Sequence, residues 1–279
     1  MILFKRSDDL SKWLNKETGS GKSIGFVPTL GALHAGHISL ITISKKETDL
    51  TVCSIFVNPT QFNDPQDFQK YPVTLEKDIP LLEAAGVDIL FLPGVPEVYP
   101  TGTTNLEHYD LGRLETLLEG KYRPGHFQGV CQVMDRLLTT VRPDHLFMGR
   151  KDYQQCMVIQ RLLQLTELPT LLHRCPIVRE PDGLAMSSRN LRLNPAQRAN
   201  ATAIYRALLL LGQRFRIAPA DTLAAAETIL KQADFQIDYI SVADAVTLEP
   251  IPDPTSPAEI VALIAAFQGE IRLIDNLIL

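Results

Sequence analysis

The chain has no excess of basic residues: 27 lysines and arginines stand against 32 aspartates and glutamates, for a formal net charge of −5. A broad nucleic-acid footprint needs the opposite balance, which sets that class of partner aside but leaves a local basic pocket for phosphates open. No uncharged apolar run reaches the roughly 18 residues of a membrane-spanning helix. The opening MILFKRSDDL turns charged within five residues and leads to no small-residue cleavage site, so no secretory leader is expected. Cysteine is scarce and scattered. Cys53, Cys131, Cys156 and Cys175 form no C-x-x-C pair and sit among apolar neighbours, which predicts buried free thiols and a reducing compartment. No internal repeat or low-complexity tract is visible. The expectation is a soluble, cytoplasmic protein with neither membrane nor nucleic acid as partner.

What the chain does have is core-forming material, 45% hydrophobic over 279 residues, enough for one large or two smaller domains. Short apolar runs at Ile24 to Val27, Thr51 to Val57, Asp88 to Leu92 and His145 to Met148 read as buried strands. Helical stretches lie between and after them, at Gly36 to Lys46, Leu75 to Ala85 and Asp152 to Leu165. Phe127, Val130, Met134, Leu137 and Val141, spaced by three and four, mark one face of a longer helix. Strands alternating with helices predict βαβ units and a parallel sheet. After about residue 178 the pattern shifts. A long helix follows Pro195, a second runs from Asp221 to Gln232, and strands follow at Gln236 to Val242, Ile260 to Phe267 and Ile271 to Leu273. The predicted fold class is α/β: a Rossmann-like doubly wound parallel sheet in residues 1–178, with a smaller C-terminal α+β domain in residues 179–279. Pro93 to Asn105 and Glu119 to Gly125, rich in turn formers, are the expected flexible stretches.

Thr18 to Ser23, with Gly21-Lys22-Ser23, imitates a phosphate-binding P-loop. It lacks the required earlier glycine, since Lys16 stands there, and it precedes a strand instead of following one. A surface turn is the better reading. The stronger signal is Pro28-Thr29-Leu30-Gly31-Ala32-Leu33-His34-Ala35-Gly36-His37, directly after a predicted strand and opening a helix. Such turns at the carboxyl edge of a parallel sheet bind ligands, and the helix start offers unpaired N–H groups and partial positive charge to a phosphate. Gly31 and Gly36 allow close backbone approach. His34 and His37, three apart, face one side of the first turn, where each can donate to a phosphate oxygen and a protonated ring adds charge. A zinc site would need a further ligand that no nearby Cys or His supplies at a standard spacing, and two incidental histidines would leave the glycines unexplained.

Three further groups sit where chemistry is expected. Asn58 and Gln61 follow a predicted strand, and their amides suit a substrate with hydroxyls and a carboxylate, although an ordinary polar loop explains them too. Lys151 follows another strand as a point charge for phosphate. Asp152 can cap the next helix with Gln155 as its capping-box partner. Met186-Ser187-Ser188-Arg189 offers two hydroxyls and a guanidinium as a phosphate clamp, or else forms a polar hinge.

The segment Pro28 to His37 resembles the H-x-G-H signature of the nucleotidyltransferase superfamily and, within it, the pantothenate synthetase family. Five more blocks support the narrower likeness, in order along nearly the whole chain: Ser54 to Phe62, Arg123-Pro124-Gly125-His126-Phe127, Gly149 to Gln155, Asp182 to Asn190, and Arg272 to Asn276. The resemblance implies an AMP-forming ligase that adenylates pantoate with ATP and passes the pantoyl group to β-alanine. It implies ATP contacts from Leu30, Gly31, Ala32, Leu33, His34, Ala35, Gly36, His37, Gly149, Arg150, Lys151, Asp152, Val178, Met186, Ser187, Ser188 and Arg189, with Val178 against the adenine. His34, His37, Lys151, Ser187, Ser188 and Arg189 carry the chemistry in this reading, while Gln61, Gln155 and Asn58 hold substrate. Mg2+ is implied with the ATP, without a committed protein ligand; Asp78 is a conceivable contributor. A homodimer is also implied. Arg123 and His126 receive no role. Leu30 stands where the family commonly has methionine, Arg150 where it has glutamate, and Val73 where it has arginine. Two other functions share parts of this pattern: a nucleotidyltransferase with a phosphoanhydride product, and a non-catalytic nucleotide-binding module.

Overall fold

The structure is a computed structural model that describes residues 1–251, 255 and 257–279. It comprises two compact units. One holds Met1–Arg150 and Gln155–Pro176, the other Lys151–Gln154 and Ile177–Leu279.

The larger unit is built from β1 (Ile2–Phe4), α1 (Ser7–Thr18), β2 (Ile24–Thr29), α2 (Ala35–Glu47), β3 (Leu50–Ile55), α3 (Pro65–Gln69), α4 (Leu75–Ala84), β4 (Ile89–Phe91), α5 (Val95–Val98), α6 (Leu118–Tyr122), α7 (His126–Val141), β5 (His145–Gly149), α8 (Tyr153–Leu165) and β6 (Leu171–Cys175), the first two residues of α8 going with the other unit. Its six strands lie in the order β1-β4-β3-β2-β5-β6, every pair parallel. β2 and β3 are almost wholly buried and mostly apolar, as strands covered on both faces tend to be. Successive residues serve opposite faces. Phe26 and Leu146 join the core under α1 and α7, whereas Val27 and Phe147 join Leu40, Ile41 and Leu82 of α2 and α4 on the other side. The five residues predicted to line one face of α7 are all buried in the first of these cores.

This is a Rossmann-like sheet, and its winding locates the ligand edge. From β2 the chain moves outward through β3 to β4, then crosses back to pair β5 with β2 through Gly25 opposite His145 and Phe26 opposite Leu146. The carboxyl ends of β2 and β5 therefore flank the topological switch point, where open parallel sheets bind ligands.

The smaller unit has α9 (Pro195–Asn200), α10 (Ala203–Arg214) and α11 (Pro219–Gln232), followed by β7 (Phe235–Asp244), β8 (Ile260–Gln268) and β9 (Ile271–Ile278) in one antiparallel sheet with β8 central. Ile204, Ala207, Leu208 and Leu211 of α10 and Ala226 and Leu230 of α11 share a core with Ile260, Ala262, Ile264 and Ala266 of β8. The α+β reading of this region is therefore correct.

Some details differ from expectation. β3 ends at Ile55, short of Val57. The helix after Pro195 is two helices, α9 ending at Asn200 and α10 beginning at Ala203. The turn-rich stretches 93–105 and 119–125 hold the short helices α5 and most of α6. The P-loop imitation is a turn after α1, with Lys22 paired to Glu17 at 2.6 Å. All four cysteines are buried and free, and burial pushes the Cys53 thiol up to about 12. Among the described residues no helix is long and apolar enough to cross a membrane.

Candidate active site

The signature segment leaves β2 through Thr29, whose hydroxyl donates to the Ser54 carbonyl at 2.8 Å and accepts the Gly31 N–H at 3.2 Å. The next two residues turn left-handed, Gly31 at φ +85° and Ala32 at φ +49°. A Cβ on Gly31 would press on Ile55 and on the carboxylate of Asp78, so glycine meets both a conformational and a steric demand. Asp78, on α4 and 1% exposed, accepts the Ala32 and Leu33 N–H groups at 2.9 Å each and the Thr74 hydroxyl at 3.1 Å. The loop is thus tied from below by one buried carboxylate.

His34 is the N-cap of α2, and the two histidines cap the helix reciprocally. His34 Nδ1 accepts the Gly36 N–H at 3.1 Å, and His37 Nδ1 accepts the His34 N–H at 3.3 Å. The ring centroids lie 4.1 Å apart. A ring nitrogen that accepts carries no proton, so both neutral imidazoles hold their proton on Nε2. The structure brings the expected pair together as two oriented N–H donors on a helix start. That differs from a protonated ring acting by charge, since protonating either Nδ1 would break a capping bond.

After β3 the chain makes a short 3-10 turn, Pro59–Gln61, capped by Asn58. Asn58 is fully buried. Its Oδ1 accepts the Tyr99 hydroxyl at 2.7 Å and the Thr60 hydroxyl at 3.2 Å, and its Nδ2 donates to the Gly129 carbonyl at 3.1 Å and to Gln61 Oε1 at 3.2 Å. Gln61 is half-buried, so the structure sets one amide beneath another, with Asn58 orienting Gln61. Beyond β5, the Arg150 N–H donates to the Cys175 carbonyl at 2.8 Å, and the position where a Cβ of Gly149 would stand is open space. Gln155 lies half-buried in the first turn of α8, and Asp152 immediately precedes that helix.

The smaller unit carries the remaining candidates. Val178 and Met186 face each other across a hairpin, with the Met186 N–H donating to the Val178 carbonyl at 3.0 Å. Ser187 caps the 3-10 turn Ser188–Arg192, its Oγ accepting the Arg189 N–H at 3.3 Å. Ser188 is buried, whereas Arg189 is half-exposed. Lys151 belongs to this unit, and the Asn276 amide donates to its carbonyl at 2.8 Å. Next to Asn276, Asp275 is gripped by both arms of Arg179, with one N–O distance of 3.0 Å, and Arg179 also lies 4.2 Å over the Tyr205 ring. Burial pushes the Asp275 carboxyl up, and Arg179 partly offsets this. Lys151, Ser187, Ser188 and Arg189 are therefore carried by one unit, with Asp275 and Asn276 anchoring its parts. Sequence reasoning quoted Asp275 and Asn276 without assigning them roles, and it missed the anchoring roles of Asp78, Tyr99 and Gly129.

Among the described residues no group of three or more His, Cys, Asp or Glu is arranged to hold a metal ion. The Asp78 carboxylate bonds to backbone and to Thr74 as described, which suits a brace for the loop. A magnesium ion that accompanies nucleotide phosphates usually takes its ligands from them and from water, so it requires no such protein group.

The family model described as pantoate-beta-alanine ligase matches residues 2–278. A curated relative named pantothenate synthetase, from Cytophaga hutchinsonii, is 43% identical over 283 residues, covering 100% of this chain and 99% of its own. The crystal structure of pantothenate synthetase from Thermus thermophilus superposes with a TM-score of 0.90 at 40% identity, covering 99% of both chains. That of pantoate-beta-alanine ligase from Francisella tularensis, described as complexed with beta-gamma ATP and beta-alanine, gives 0.84 at 36% identity, covering 100% of this chain and 97% of that one.

Proposed function

The chain belongs to the pantoate–β-alanine ligase family and joins pantoate to β-alanine at the expense of ATP through an adenylate, and from that premise we propose how its own residues divide the work. The observation that carries the reading is the reciprocal capping of α2, in which His34 and His37 each accept through Nδ1 and so hold their proton on Nε2, at a helix start beside the switch point.

In the first step an oxygen of the pantoate carboxylate bonds to the α-phosphorus while the bond from that phosphorus to the bridging oxygen breaks, releasing pyrophosphate. His34 and His37 donate to the α- and β-phosphate oxygens as charge builds there. The backbone from Leu30 to His37, with Gly149, Arg150, Asp152 and Met186, lines the nucleotide, and Val178 packs on the adenine. Lys151, Ser187, Ser188 and Arg189 hold the leaving pyrophosphate. In the second step the neutral amine of β-alanine attacks the acyl carbon, AMP leaves, and the nitrogen gives up a proton. Gln61 and Gln155 hold the pantoyl group, and Asn58 acts through Gln61. Magnesium, bound with the nucleotide, would lower the charge on the triphosphate. Positioning and oriented donors account for such a reaction without a covalent enzyme intermediate.

The test is isotope exchange. With pantoate and no β-alanine, labelled pyrophosphate should enter ATP, and AMP should accumulate only when both substrates are present. Exchange that proceeds without pantoate would overturn the reading.

A further inference from the structure

The Arg123 to Phe127 block plays no part in the mechanism above, yet the structure sets it directly against Gln61. His126, 5% exposed at the start of α7, places Nδ1 2.8 Å from the Gln61 carbonyl oxygen. A carbonyl only accepts, so Nδ1 carries the proton and donates. Nε2 is then an acceptor, and a guanidinium nitrogen of Arg123 meets it at 3.0 Å. An arginine has no other role to offer, so the Arg123 contact locks the tautomer that the Gln61 contact requires. Arg123 is itself held, with Glu119 at 3.6 Å and Asn63 at 3.5 Å.

The same turn is fixed from two further directions. A Cβ on Gly129 would collide with the carbonyl of Thr60, so α7 lies flush against Pro59–Gln61. Asn58 bonds the end of the Gln61 side chain. Close packing alone would hold a helix against a turn, and Gly129 already provides it. A buried imidazole polarised by a guanidinium adds something packing does not, a directed bond to one carbonyl, and that carbonyl belongs to Gln61.

We propose that Arg123 and His126 are a positioning pair for the pantoyl subsite: the pair fixes the Gln61 backbone and so aims the Gln61 amide at the bound hydroxy acid. The inference rests on the reading that Gln61 holds pantoate. Neither residue touches substrate in this scheme, and misplacing a positioning group by about 1 Å can cost roughly 10²-fold.

Four variants test it by steady-state kinetics and melting: Gln61→Ala, His126→Gln, His126→Asn and Arg123→Met. Asparagine puts its amide nitrogen where Nδ1 stands and keeps the bond to Gln61, whereas glutamine reaches toward the Nε2 position and loses it. Gln61→Ala and His126→Gln should raise the pantoate KM by between tenfold and about 10²-fold with the ATP KM unchanged. His126→Asn should restore most of the loss at a melting midpoint no higher than that of His126→Gln. If Gln61→Ala raises the pantoate KM but His126→Gln does not, or if the two His126 variants fall alike, the pair has no positioning role. An unchanged pantoate KM in Gln61→Ala overturns the reading of Gln61 and the pair's role with it. Should His126→Gln fail to fold, Arg123→Met removes the tautomer lock with the ring in place, and an unchanged pantoate KM there overturns the proposal.

Discussion

Two helices of this protein start with the same reciprocal arrangement made from different residues. α9 uses Asn194 and Gln197: the Gln197 N–H donates to Asn194 Oδ1 at 2.9 Å, the Asn194 N–H to Gln197 Oε1 at 3.0 Å, and Pro195 fills the first helical position. Those are residue types that helix starts favour. α2 closes the same loop with His34 and His37 over longer bonds of 3.1 and 3.3 Å. Histidine lies outside the small polar set preferred at an N-cap. What the ring adds is a second nitrogen on its far side, still protonated when the first accepts. Asparagine at α9 ends its work with the cap. The histidines at α2 turn the cap into a tautomer lock that keeps a proton on each far nitrogen. A capping box built from unfavoured residues is what the phosphate-donating role proposed for this helix start requires.

The largest effects that would break this contrast fall on the histidines. His37→Ala should lower pantoate-dependent turnover by about 10²–10³, roughly 3–4 kcal/mol, as loss of one oriented donor does. His34→Asn is sharper, because asparagine caps as well as any residue yet lacks the distant N–H. It should lose turnover to a similar degree while its melting midpoint stays level, whereas His34→Ala should lose about 1 kcal/mol of stability as well. Near-normal turnover in His34→Asn would mean the ring is there only to cap.

A second difference lies below the helix starts. Before α2 the chain passes two left-handed residues, Gly31 and Ala32, and needs Asp78 to receive the next N–H groups. α9 is entered from Asn194 at an ordinary φ of −72°. Asp78→Asn replaces one accepting oxygen by an amide NH2 that faces a backbone N–H. Leaving one buried donor unsatisfied should cost about 1–3 kcal/mol in urea unfolding. Unchanged stability would show that the loop holds its conformation without the carboxylate.

Which parts of this were legible in the sequence follows from distance along the chain. The buried strands β2 and β3 announce themselves as short, mostly apolar runs, and the α7 face by its spacing. β1 and β6 do not, because they are edge strands, three and five residues long, with Ile2, Leu3 and Leu171 exposed. His34 and His37 stand out because everything that defines them lies within ten residues of a strand–helix turn. Asn58 reads from sequence as a substrate ligand, but its burial is set by Tyr99 and Gly129, 41 and 71 positions away. The role of His126 is hidden for the same reason, since its partner Gln61 lies 65 positions upstream. Local chemistry is readable from local sequence, whereas the props that aim it come from elsewhere in the chain.

The smallest expected effect closes the comparison from the other side. If the α9 box only caps, then Asn194→Ala removes the acceptor for the Gln197 N–H, while Gln197 Nε2 keeps its bond to the Gln268 carbonyl, at a cost of about 1 kcal/mol. For a protein of this size that is a fall of roughly 2–4 °C in melting midpoint. The box is exposed, so water takes over both groups and no buried orphan enlarges the loss. Turnover and the substrate KM values should match the parent, because the far donor of the box, Gln197 Nε2, is spent on the Gln268 carbonyl at 3.3 Å. A fall in turnover without a fall in stability would mean that α9, too, begins at a working site, and the contrast between the two helix starts would dissolve.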